Sequence, residues 1–192
     1  MGKGRLEAFS DGVLAVIITI MVLELHPPES PDLQALFQRL PAFFGYVLSF
    51  VFIGIYWNNH HHLFHAAERV NGPILWANNF LLFWLSLVPF TTGWMDETGF
   101  AAVTVALYGA VLFMSGVAFF ILAHLLIGLH GPDSALAKAF GRDLKGWISP
   151  ILCVLGIGSA FVQPWIACCL YVAVAVIWFI PDRRIERTIA RE

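Results

Sequence analysis

The chain has 192 residues, 59% of them hydrophobic and 12% charged, with a formal net charge of −2. A soluble domain is about 45–50% apolar and about 25% charged, so a soluble fold is excluded. The apolar residues come in long blocks rather than in alternating ten-residue strands, which excludes a transmembrane β-barrel.

Crossing about 30 Å of hydrocarbon takes about 20 helical residues, and six blocks qualify. They run from Arg5 to Leu25, Leu36 to His61, Pro73 to Trp94, Phe100 to Leu129, Leu144 to Phe161 and Trp165 to Ile180. Gln163-Pro164 makes the last two a tight hairpin, because proline ends a helix near the residue before it. Cations mark the cytoplasmic side of such a bundle. Lys3, Arg5, Arg69, Lys138, Arg142, Lys145, Arg183, Arg184, Arg187 and Arg191 fall on one side. Arg39 alone falls on the other, with Glu29, Asp32, Asp96 and Glu97. The predicted architecture is an all-α membrane protein with six transmembrane helices and both termini cytoplasmic. It forms one domain over residues 1–192 in the bacterial inner membrane. The first block has no small-residue cleavage site after it and is read as retained. Cys153, Cys168 and Cys169 lie in apolar blocks and are read as small core residues. The basic tail "PDRRIERTIARE" is read as an orientation signal and a helix end.

The first block, "RLEAFSDGVLAVIITIMVLEL", places Ser10 and Asp11 near its entrance. If either capped the helix, Gly12 to Leu25 would span only about 21 Å, too short to cross. The helix therefore starts near Gly4 and contains both. A carboxylate at depth needs a protein or water partner. Val16, Thr19, Ile20 and Leu23 share one face by the i, i+3, i+4, i+7 pattern, and Asp11 projects about 140° away from Val16. Periodicity alone leaves that stripe as lipid or helix contact.

The second block ends "YWNNHHHLFH", where His60 or His61 is the expected partner of Asp11. Trp57 packs beside them or anchors at the interface. His61 and His65 have a two-ligand spacing, but no third ligand or "HEXXH" pattern accompanies them, so no metal site is expected. Arg5 either snorkels or pairs across another helix. Asn78 and Asn79 in the third block serve interhelical packing or function, and Pro89 breaks the ladder near that block's outer end. His124 is read as a satisfied interhelical donor. Glu24 either snorkels or sits at a pore mouth. Ser10 and Asp11 diverge by about 100°, which suits a catalytic triad poorly, so the chain is not expected to be an enzyme.

"RLEAFSDG", "YWNNHHHLF" and "NNFLLFWLSLVPF" together resemble the transmembrane protein 175 family of potassium channels. The resemblance implies a homotetramer in which the first helix of each subunit lines a pore on a four-fold axis. It also implies a hydrophobic constriction instead of a carbonyl filter. The family's constriction maps to Val16 and its selectivity threonine to Thr19, with Ile20 and Leu23 continuing the line. Arg5, Phe9, Ser10, Asp11, Trp57, His60, His61, Asn78 and Asn79 then hold the helix in place, with Glu24 at the mouth. The expected partners are potassium ions, the lipid bilayer and three further copies of the chain, with no cofactor, metal or nucleic acid. The alternative is a proton or metal-ion transporter using Asp11 and the His60–His65 cluster.

Overall fold

In lipid a backbone must satisfy its own N–H and C=O groups, and every regular element described in the computed structural model is an α-helix. The structure describes residues 3–134, 136–137 and 144–179. Lys138, Arg142, Ile180 and the tail cations Arg183, Arg184, Arg187 and Arg191 lie outside the described residues. The helices are α1 (Gly4–Leu23), α2 (Leu33–Gln38), α3 (Leu40–His65), α4 (Gly72–Ser86), α5 (Val88–Glu97), α6 (Ala102–His130), α7 (Leu144–Ala160) and α8 (Pro164–Phe179).

Local chemistry explains the starts. Asp32 caps α2 by accepting from the Ala35 N–H at 2.7 Å. That bond, with one from the Ser30 hydroxyl, holds the Asp32 carboxyl below the usual carboxylate range. Asn71 caps α4 by accepting from the Ile74 N–H at 3.2 Å. Pro41, Pro73 and Pro89 stand in the first turns of α3, α4 and α5, where a missing N–H is harmless.

Three boundaries differ from expectation. The second span begins after a separate short helix and continues to His65, so the whole histidine run is helical. The third span is broken at Leu87, because Pro89 has no N–H to continue the ladder and starts a new helix. Four spans are long and apolar enough to cross a membrane: Gly4–Leu23, Leu40–His65, Gly72–Glu97 and Ala102–His130. The last two apolar helices have 17 and 16 described residues, or about 24–26 Å of helix.

Lipid supplies no hydrophobic drive between helices, so close fit and interhelical hydrogen bonds hold the bundle. Tyr171 of α8 fills a notch made by Gly109 of α6 and Gly156 of α7, and its hydroxyl donates to the Val105 carbonyl at 3.3 Å. The Ser49 hydroxyl bonds those of Thr92 at 2.7 Å and Tyr108 at 3.0 Å, tying α3, α5 and α6 together. α6 carries α7 and α8 on one side and α4 and α5 on the other, while α1 packs on α3, α4 and α5 at the edge. The α1 window is only 28% buried, the least of the four spans, so most of α1 is free to face something outside the subunit.

Candidate functional site

α1 has two faces. Leu6, Ser10, Leu14, Ile17 and Met21 are buried against the bundle. The opposite face, centred about 130° away, carries Arg5, Phe9, Gly12, Val16, Thr19, Ile20 and Leu23, all exposed. Val16, Ile20 and Leu23 expose 56%, 42% and 77% of their surface, so none of them serves the subunit's own core. Val16, Ile20 and Phe9 also line an open groove of about 1000 Å³ between α1 and α5, floored by Pro89, Phe90 and Gly93. Glu24 and Glu97 line the same groove. Thr19 and Leu23 are not among its lining residues.

Thr19 is the polar member of the stripe proper. Its hydroxyl donates back to the Ala15 carbonyl at 2.6 Å, with the Val16 carbonyl at 3.1 Å. A hydroxyl has one hydrogen and two lone pairs. With the hydrogen committed to the backbone, Thr19 can offer the exposed side only acceptor capacity, the polarity that a cation needs.

On the inner face, Ser10 donates to the Leu6 carbonyl at 2.8 Å and accepts from Asn78 Nδ2 at 2.9 Å. Asn78 Oδ1 accepts from His60 Nε2 at 2.8 Å. All three side chains are buried, so this chain of bonds joins α1, α4 and α3 where an unpaired polar group would be expensive. Asp11 is bonded to neither His60 nor His61, contrary to expectation. Its Oδ1 accepts from Trp57 Nε1 at 3.0 Å. The reason is register: His60 turns inward to Asn78, which brings Trp57, three residues earlier, to the edge where Asp11 emerges. His61 stacks on Trp57 at 5.9 Å between ring centroids, so Trp57 both bonds the carboxylate and packs beside the histidine. Asn79 is exposed and takes no part in this chain, and Arg5 and Phe9 stand on the outer stripe. His61 and His65 rings lie 6.1 Å apart, and among the described residues no three His, Cys, Asp or Glu side chains converge as metal ligands.

Sequence reasoning missed two features. One is the α5 wall of the groove, whose Pro89, Phe90, Gly93 and Glu97 recur at helical spacing. The other is Lys3, whose ammonium donates to the carbonyls of Phe64 and Ala67 at 2.8 and 2.7 Å. Neither pairing could be read without the helix crossings.

Comparison with known proteins points the same way. The family model described as "Endosomal/lysosomal potassium channel TMEM175" matches residues 5–89, the stretch that holds α1 and the pins behind it. A potassium channel of Chryseobacterium sp. (strain P1-3) is 53% identical over 98% of each chain. The endosomal/lysosomal proton channel TMEM175 of Homo sapiens is 34% identical over 46% of this chain and 20% of its own length. Among solved structures, a lysosomal potassium-selective channel TMEM175 homolog from Chamaesiphon minutus superposes with a TM-score of 0.78. It shares 26% identity and covers 93% of this chain and 96% of its own.

Proposed function

The chain belongs to the TMEM175 family of ion channels, and on that premise we propose that it is a potassium-preferring cation channel whose pore is lined by α1. The family consists of membrane channels rather than enzymes, and the chain is a multi-pass protein of the cell membrane. The finer reading is ours. Residues 1–192 form a single six-span domain with both termini cytoplasmic. Four copies surround a four-fold axis, because one bundle of this size has no central opening and a closed ring does.

One observation carries the reading: the α1 face turned away from its own bundle is an exposed apolar stripe that holds acceptor lone pairs at Thr19. Arranged around an axis, Val16, Ile20 and Leu23 form successive apolar rings that exclude ions when narrow and conduct when wetted. Thr19 supplies a ring of oxygens to a cation that has shed part of its water, and potassium sheds water more readily than sodium. Glu24, beside Glu97 at the groove's end, raises the local cation concentration. Ser10, Asn78, His60, Asp11 and Trp57 hold α1 at the depth where the rings align. The names of the bacterial relatives support potassium as the cargo.

Potassium flux through purified protein in liposomes tests this. Val16→Ser and Leu23→Ser should raise flux several-fold; silence of both in a conducting preparation contradicts the pore assignment. The second reading, proton passage, is favoured by the vertebrate relatives' name of proton channel, which this chain matches over a fifth of their length. A relay built on Asp11 and His60 fits less well, since both already bond to other side chains.

A further inference from the structure

The end of α3 and the loop that joins it to α4, residues 64–71, are gripped from two sides at the end of the bundle where α1 begins. From the residue that precedes α1, Lys3 Nζ donates to the carbonyls of Phe64 at 2.8 Å, His65 at 3.2 Å and Ala67 at 2.7 Å. An ammonium has three hydrogens, and all three are used at a helix C-terminus, where a cation is favoured. From the end of α6, His130 Nε2 lies 3.0 Å from the Glu68 backbone N and 3.4 Å from that of Arg69. His130 Nδ1 lies 2.9 Å from the Leu126 carbonyl. The Arg69 guanidinium donates to the Leu129 carbonyl at 3.3 Å.

These partners fix the tautomer of His130. A carbonyl only accepts, so Nδ1 carries the hydrogen. A backbone N–H only donates, so Nε2 does not. A second proton has nowhere to go except Nε2, where it meets two N–H donors, and both contacts must break. The ionisable groups on the elements that meet there are Glu68 and Arg69 on the loop, Lys3 at the cap of α1 with Arg5 and Glu7 in its first turn, His61, His62 and His65 at the end of α3, Asp133 in the turn after α6 and Lys145 at the start of α7. α4 brings none.

We propose that Lys3 is a positioning residue for the cytoplasmic end of the pore helix, and that His130 makes its hold on the α3–α4 loop proton-sensitive. The proposal rests on the reading of α1 as the pore helix. Lys3 draws the start of α1 toward α3 of its own subunit, away from the side on which Arg5 and Phe9 are exposed. Protonating His130 releases the loop, loosens the Ala67 carbonyl that is one of the three Lys3 holds, and lets the four α1 starts shift from the positions that keep the rings aligned. Acid on the cytoplasmic side therefore lowers potassium flux.

The test uses the full chain in liposomes, with the medium on the N-terminal face set to about pH 7.5 or about pH 5.5. The ratio of held to released loop should fall about fivefold in acid, the shift expected from the net loss of about one hydrogen bond once the freed amides rehydrate, and flux should fall with the held fraction. Deuterium uptake at the Glu68 and Arg69 amides, corrected for the intrinsic rate, should rise over the same interval. His130→Gln accepts from the loop and does not titrate, so it should keep neutral-pH flux and lose both responses. Lys3→Met should keep the acid-dependent uptake while its flux no longer follows pH, and Lys3→Arg should restore the dependence. An unchanged acid response in His130→Gln overturns the latch, and one in Lys3→Met overturns the positioning role. Absence of flux from every protein at neutral pH overturns the channel reading instead, and the latch then stands or falls on deuterium uptake.

Discussion

Ser10 and Asp11 are neighbours in sequence, yet they fasten α1 to different partners through different chemistry. Asp11 accepts from the half-exposed Trp57 indole at 3.0 Å, so Trp57→Phe and Asp11→Ala should each destabilise the subunit by about 1 kcal/mol. The double substitution should add little, since both remove one bond. Asp11→Asn keeps the accepting oxygen and should be close to neutral in denaturant unfolding. Asn78→Ala is the harsher change, because it leaves His60 without its side-chain partner in a buried site and takes from Ser10 the bond it accepts. It should lose about 1–3 kcal/mol. At Thr19, valine keeps the shape and removes the lone pairs, so potassium preference over sodium in bi-ionic flux should drop, while serine should preserve it. Helix length alone revealed that Ser10 and Asp11 lie inside α1. Their partners were not legible, because the choice between Trp57 and His60 turns on a helix rotation that sequence spacing does not encode.

Between elements, the bundle depends on one bulky residue seated in the space of two missing side chains. A Cβ on Gly109 or on Gly156 would collide with the ring or hydroxyl of Tyr171. Gly109→Ala and Gly156→Ala should each destabilise by about 1–3 kcal/mol, the usual range for overpacking a tight contact. Tyr171→Phe, which loses only the 3.3 Å bond to Val105, should have a smaller effect in the same unfolding assay. Apolar block length made the helices legible to within a few residues. The break at Leu87 was signalled by Pro89 but displaced inward from the outer end, because the new helix begins just before the proline rather than at it. The α2 helix escaped notice since its six residues carry no span-length signal, only the Asp32 cap.

For the whole molecule, the described cations Lys3, Arg5, Arg69 and Lys145 gather at one end of the bundle and Arg39 at the other. By the positive-inside rule, that asymmetry is the ground for the proposed orientation. The stripe was visible as a pattern but not as a surface, because an apolar helical face reads alike whether it meets lipid, a neighbour or an axis. The structure removes one of those choices by burying Leu14, Ile17 and Met21 in the subunit instead. Cysteine accessibility separates the other two most directly. In full-length protein with Cys153, Cys168 and Cys169 replaced by alanine, single cysteines are placed at Val16, Thr19, Ile20, Leu23 and, as the control, Val22. Val22 is 45% exposed but points about 110° from the centre of the stripe. A small cationic thiol reagent should block potassium flux at the four stripe positions and spare Val22→Cys. Equal block at Val22→Cys, or no block at any stripe position in a conducting channel, would contradict α1 as the lining of the pore.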